Sequence, residues 1–186
     1  MVRGFIAVDI DDDAVLNRVL ETQRTVVDCG ADLKAVEREN IHLTLRFLGE
    51  VGESQIPEVI DALKEIQFRP IELALKGVGV FPNTRFIRVI WIGIVKGGRE
   101  LSGVASTLNA RLMMLRFPPD NKGFSPHLTI ARVRSRRSME NVVACLRELQ
   151  DRDFGQFTVD SVRLKKSTLT PSGPIYDTLF EQKAQA

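Results

Sequence analysis

Apolar and polar positions along this chain follow two periods in turn, one of strands and one of helices, and the series runs through the sequence twice. Residues 3–10 (RGFIAVDI) form an apolar run that predicts a buried strand, closed by Asp11, Asp12 and Asp13. Carboxylates suit a helix start there, where free N–H groups and the positive dipole end meet negative charge. Val15, Leu16, Val19, Leu20, Val26 and Val27 predict a helix over 14–27, with Gly30 as its stop. A short segment leads to a strand from His42 to about Leu48, ending at Gly49. Ile56, Val59, Ile60 and Leu63 mark a second helix over 54–66, where Pro57 is tolerable because it falls in the first turn. Residues 71–81 alternate as a strand, and Pro82-Asn83 marks a turn.

The same order then starts again. A strand over 86–94, a turn at Lys96-Gly97-Gly98 and a helix over 99–115 lead through a loop at 117–123 to a strand beginning at His127. A helix over 139–150 buries Val142, Val143, Leu146 and Leu149. A strand over 157–166, a turn at 170–174 and a last strand over 176–180 form a hairpin, and the tail 181–186 is expected to fray. A shift of 85 residues lays Ser54 beside Ser138 and Ile71 close to Phe157. The chain is therefore a duplicated β-α-β-α-β unit of the α+β class. It is expected to form one bilobal domain over 1–186, with repeat halves near 1–84 and 85–181. No glycine-rich phosphate loop follows a strand, which disfavours a doubly wound parallel sheet. Two pseudo-symmetric sheets with helices outside and a cleft between them fit better.

The duplication carries the only two histidines. His42-Leu43-Thr44-Leu45 and His127-Leu128-Thr129-Ile130 repeat one tetrapeptide, and 85 residues separate position 42 from position 127. In a strand, alternate side chains share a face, so each copy presents an imidazole and a hydroxyl on one side and two aliphatics on the other. A lone histidine on a strand is more often a surface or core residue than a catalyst. Two in one setting within a repeated unit point to chemistry. Two imidazoles that titrate near neutrality can serve as a general base and a general acid together. Threonine hydroxyls can donate to an anionic oxygen and leave the imidazoles free. This set suits hydrolysis of a strained phosphodiester. Without a nearby carboxylate or cysteine cluster it makes a poor metal site. A Ser-His-Asp triad remains open but leaves the second copy unexplained.

Composition adds limits rather than direction. Among 186 residues, 44% are hydrophobic and 27% charged, and the formal net charge is only +2, so attraction to nucleic acid must come from local patches. Candidates are Arg132, Arg134, Arg136 and Arg137 after the second motif, and Lys165-Lys166. Cys29 and Cys145 have no metal-ligand spacing and read as core cysteines, and Trp91 reads as core within an aliphatic strand. Neither a signal peptide nor an apolar run long enough to span a bilayer is apparent, so the chain reads as cytoplasmic with no membrane partner.

The paired HLTL and HLTI motifs resemble those of the two-histidine phosphoesterase superfamily. With RGFIAVDI, HLTLRFLGEV, RVIWIGI and FSPHLTIARV, the chain resembles more narrowly the RNA 2′,3′-cyclic phosphodiesterases, also called 2′-5′ RNA ligases. The resemblance covers most of the chain. It implies two antiparallel sheets around a basic cleft. It also implies metal-free and cofactor-free hydrolysis of a terminal 2′,3′-cyclic phosphate to a 2′-phosphate, with 2′-5′ ligation as a weaker reversible reaction. The implied partners are RNA ends, tRNA fragments among them, acted on by a monomer. His42 and His127 would be the acid and base, with His42 favoured as the acid, and Thr44 and Thr129 would hold the phosphate. Arg132 would also contact phosphate, and Phe47 would contribute to a nucleotide pocket, which Phe5 on the neighbouring strand would line unless it is core. Strand parity opposes two of these roles. Phe47 and Arg132 each lie five positions past a histidine, which puts them on the opposite face unless a bulge re-aims them. On parity alone Phe47 reads as core. The other readings are a cyclic phosphodiesterase acting on a small nucleotide, and an RNA- or nucleotide-phosphate-binding module.

Overall fold

The computed structural model describes residues 1–120, 123–171 and 173–185. Strand β1 (Val2–Asp9) buries a continuous run from Gly4 to Val8. Helix α1 (Asp13–Val27) starts where the acidic run predicts, because the Asp12 Oδ1 accepts the Val15 N–H at 2.9 Å. Strands β2 (Leu33–Ala35) and β3 (His42–Val51) precede helix α2 (Ile56–Lys64), and β4 (Ile71–Asn83) closes the first half. The second half holds β5 (Phe86–Lys96), α3 (Gly98–Met114), β6 (His127–Val133), α4 (Met139–Leu149), β7 (Asp153–Val159), β8 (Ser161–Thr170) and β9 (Gly173–Lys183).

Every strand pairing is antiparallel, in two sheets ordered β3-β1-β8-β9 and β2-β6-β5-β4-β7. The repeat is therefore exchanged in space. The first sheet pairs β3 and β1 with β8 from the second half, and the second pairs β6 and β5 with β4 from the first half. One apolar core under the sheets gathers Ile6, Val8, Leu43 and Leu45 from one set of strands and Ile90, Ile92, Leu128 and Ile130 from the other. The helices pack on these strands, α1 on β2, β6 and β7, and α3 on β3, β4 and β5. The motif strands β3 and β6 lie in different sheets yet come close to one another. Among the described residues, no helix is long and apolar enough to cross a membrane.

Three local expectations need correction. The strand expected over 157–166 is two strands, broken at Asp160, because Phe157 and Val159 bury in one sheet while Val162 and Leu164 bury in the other. Strand β2 has no counterpart among the expected elements. It is only three residues long and exists by pairing with β6. The tail does not simply fray: β9 runs to Lys183, the Ala184 N–H donates to the Asp160 carbonyl, and the Gln185 N–H to that of Phe68. Of the loops expected at 117–123 and 170–174, Asn121, Lys122 and Ser172 lie outside the described residues, as does Ala186.

Candidate active site

The strand register builds the site. On β3, His42 lies opposite Asp9 and Thr44 opposite Ala7, and then the ladder skips Leu45 so that Arg46 meets Ile6 and Phe47 meets Phe5. On β6, His127 lies opposite Gly93 and Thr129 opposite Trp91, and the ladder skips Ile130 so that Ala131 meets Ile90 and Arg132 meets Val89. Each motif thus carries a β-bulge three residues after its histidine. A bulge adds one residue and reverses the parity beyond it. Phe47 and Arg132 consequently share the histidines' faces, and two adjacent residues, Leu45 and Arg46 or Ile130 and Ala131, are buried beneath. The expectation that Phe47 is core is overturned, since its side chain is 68% exposed.

The extra backbone groups are satisfied from nearby. The Ile130 carbonyl accepts from the Gln23 Nε2 of α1 at 2.7 Å and from the Val36 N–H at 2.9 Å. Gln23 also donates to the Val36 carbonyl at 2.7 Å, which explains a buried glutamine in a helix face. The buried Arg46 donates to the Pro118 carbonyl and lies 3.8 Å from an Asp120 carboxylate oxygen. It ties β3 to the segment that leads into β6.

Both imidazoles are oriented by the same device. The His42 Nδ1 sits 2.8 Å from the Asn40 carbonyl, and the His127 Nδ1 sits 2.7 Å from the Ser125 carbonyl. A carbonyl only accepts, so Nδ1 carries hydrogen in both rings and Nε2 is left for chemistry. The His42 Nε2 is 2.9 Å from the Thr44 Oγ1, which donates to it when the ring is neutral. No equivalent bond joins His127 to Thr129 among the described residues.

The surroundings of the two rings differ. Phe5, 3% exposed, stacks on His42 at 4.9 Å between centroids, and Tyr176 meets His42 edge-on at 5.4 Å. Phe47 lies 6.3 Å from Phe5, extending this aromatic wall outward. Phe81 meets His127 edge-on at 4.9 Å, with Trp91 at 6.4 Å. Trp91 lies flat on its register partner Gly79, where a Cβ would fall 2.4 Å from the ring. It is half-buried on the His127 face rather than in the core.

Charge completes the setting. Lys165, only 5% exposed, lies opposite Phe5 and pairs with the Asp9 carboxylate at 2.6 Å, so it is not the surface lysine that the sequence suggests. Arg163 holds Asp9 from the same side at 2.7 Å. Burial, and after it the charge of Lys165, lowers the His42 pKa from 6.5 to about 4, against the Asn40 carbonyl and Asp9, while Arg132 lowers it further. Arg132 belongs to the other sheet, so its field reaches His42 from there. Burial also pushes the Tyr176 hydroxyl up, opposed by Arg132 and Arg3.

The sequence reading missed Asp9 and Tyr176, and it named Lys165 only as a basic group for RNA, not as a buried neighbour of His42. Strand parity from Phe5 signals Asp9, whereas nothing local marks Lys165 or Tyr176, which reach the site only through the exchanged strand β8 and its hairpin partner. No group of three or more His, Cys, Asp or Glu side chains is placed to hold a metal ion among the described residues. Cys29 and Cys145 are half-buried against the core, away from these contacts.

Comparison with known proteins follows the same lines. The family model for the LigT like phosphoesterases matches twice, at residues 10–91 and 92–176. An RNA 2′,3′-cyclic phosphodiesterase of Archaeoglobus fulgidus is 40% identical over 178 residues, covering 96% of this chain and 98% of the relative. That of Aeropyrum pernix is 38% identical over 170 residues, covering 91% and 97%. Among solved structures, TT0787 of Thermus thermophilus superposes with a TM-score of 0.82 at 28% identity, covering 97% of each chain. The E. coli LigT complexed with 3′-AMP gives 0.82 at 22% identity, covering 100% and 99%, and shows the likeness of fold alone.

Proposed function

This chain belongs to the LigT-like phosphoesterase family, and we propose from that premise that it hydrolyses the terminal 2′,3′-cyclic phosphate of RNA to a 2′-phosphate without a metal ion. The observation that carries the reading is the matched pair of imidazoles on two strands that come close to one another, each with Nδ1 fixed by a backbone carbonyl so that Nε2 is the nitrogen left to exchange a proton, that of His42 beside the Thr44 hydroxyl. Thr44, Thr129 and Arg132 share their faces and hold the phosphate oxygens. Lys165 and Arg132 supply positive charge that draws the anion in. Phe47 offers ring surface to the terminal nucleoside, and the buried Phe5 backs His42 from below.

The steps balance with two histidines. His127 takes a proton from water as the oxygen attacks phosphorus, the bond from phosphorus to the 3′ oxygen breaks, and protonated His42 delivers its proton to that oxygen. In the free protein His42 is held neutral by burial and by Lys165. Its acid role therefore needs the bound phosphate, whose negative charge offsets the two cations and raises its proton affinity. A 5′ hydroxyl in place of water would form a 2′-5′ bond in the same arrangement. Both histidines come from one chain, so a monomer suffices. RNA ends such as those of tRNA fragments, met in the cytoplasm, are the substrates this reading favours.

Hydrolysis of a cyclic-phosphate RNA is expected to continue at an unchanged rate in excess EDTA, because among the described residues no set of donors for a metal is gathered. Loss of turnover with EDTA, restored by one divalent ion, would overturn the metal-free mechanism.

A further inference from the structure

At the far end of β5 from the histidines, an arginine-rich surface is built around one aromatic ring. Phe86, 38% exposed, has the Arg88 guanidinium 4.8 Å and the Arg136 guanidinium 5.0 Å from its ring centroid. The turn before it is fixed, since the Asn83 Oδ1 accepts the N–H groups of Arg85 and Phe86, both at 3.0 Å. Arg136 donates to the Arg85 carbonyl at 3.4 Å, which joins this turn to the segment after β6. Arg134 and Arg137 flank it, and all five arginines are exposed.

Counter-charge is missing here. Among the described residues none of the five lies within ion-pair distance of a carboxylate. Glu140 lines a hollow beside Thr84 but pairs with none of them. Gathering like charges opposes folding, and a ring face offsets only part of that. Cations interleaved with an aromatic ring suit a single-stranded nucleic acid, whose phosphates meet the charges while a base stacks on ring or guanidinium. The surface also lies along the strand pair that carries His127 and Arg132. Arg132 pairs with Val89 and His127 with Gly93 on the same strand, and Phe86 lies roughly 20 Å along β5 from Gly93. A mononucleotide bound at the histidines cannot reach that far, whereas an RNA strand that passes Arg132 can.

We propose that Phe86, with Arg85, Arg88, Arg134, Arg136 and Arg137, binds the single-stranded RNA that precedes the reacting end and so makes this protein selective for oligonucleotides over mononucleotides. The inference rests on the proposed function for the identity of the reacting end. The test compares wild type with the double substitution Phe86→Ala, Arg136→Ala on two substrates, 2′,3′-cyclic AMP and an RNA of about ten nucleotides ending in a cyclic phosphate. A second arm measures binding of the same RNA with a plain 3′ hydroxyl by fluorescence anisotropy. The substitutions are expected to lower kcat/KM on the RNA and its affinity by roughly 10-fold or more, the scale of losing a base stack and a phosphate contact. They should leave cyclic AMP hydrolysis within about twofold, which also shows that the fold is intact, and should make binding less sensitive to salt. Unchanged RNA affinity, or equal losses on both substrates, would overturn the proposal. So would unchanged RNA binding with weakened binding of poly-glutamate, which marks a protein-docking surface. If wild type turned over neither substrate, the proposed function would fail, and the anisotropy arm would still decide the RNA surface.

Discussion

His42→Ala and His127→Ala are each expected to lower kcat on cyclic-phosphate RNA by roughly 10²–10⁴-fold, the usual scale for losing a general acid or base. The double substitution should cost less than the product of the two, because both groups act in one step and the remaining partner has little to contribute alone. The expectation follows from the backbone carbonyl that holds Nδ1 of each ring and so leaves Nε2 as the nitrogen that can exchange a proton. Steady-state rates with the three variants settle it, with circular dichroism confirming that each is folded. Near-wild-type turnover with either ring removed would reduce that histidine to phosphate recognition.

The second large effect is on stability in acid, and His42 should make a distinct contribution to it. Its folded pKa of about 4 lies below the unfolded value near 6.5, so the unfolded chain binds more protons between those limits. Stability is therefore lost as pH falls from 6.5 towards 4, by about 3 kcal/mol in all, and this contribution goes no further below 4. Other groups titrate over the same window, so the comparison is with His42→Gln. That variant should gain about 3 kcal/mol relative to wild type between pH 7 and pH 4 in urea unfolding experiments. A constant difference between the two proteins would show that the ring is solvated rather than enclosed by Phe5 and Tyr176. NMR titration of the same ring addresses its catalytic role. Its midpoint should lie near 4 in the free protein and rise when adenosine 2′-monophosphate binds. Failure to rise would exchange the acid and base assignments.

How much of this was legible in the sequence can be traced element by element. The strand and helix series, the Asp12 cap and the paired motif strands follow from periodicity and capping chemistry, which are local. Phe47 and Arg132 mark where local reasoning stops. Simple alternation puts both away from the histidines, and only the bulges at Leu45 and Ile130 turn them back. A bulge leaves little trace in a run of aliphatic residues, because the skipped position is itself apolar and buried. The exchange of β4 and β8 between sheets is likewise invisible locally. It decides that Lys165 and, through the β8–β9 hairpin, Tyr176 stand beside His42 rather than elsewhere. The turn at Asp160 hides in a stretch that reads as one strand, since both of its sides alternate correctly for different sheets.

The central claim is that two histidines open a cyclic phosphate at its 3′ ester bond. It is tested most directly by incubating the protein with an RNA end-labelled at its 5′ terminus and closed by a 2′,3′-cyclic phosphate, then mapping the phosphate in the product. The account predicts complete conversion to a 2′-phosphate end, with the conversion lost when His42 or His127 is replaced. A product carrying mainly 3′-phosphate, or a cyclic end that survives while the RNA stays bound, would contradict it.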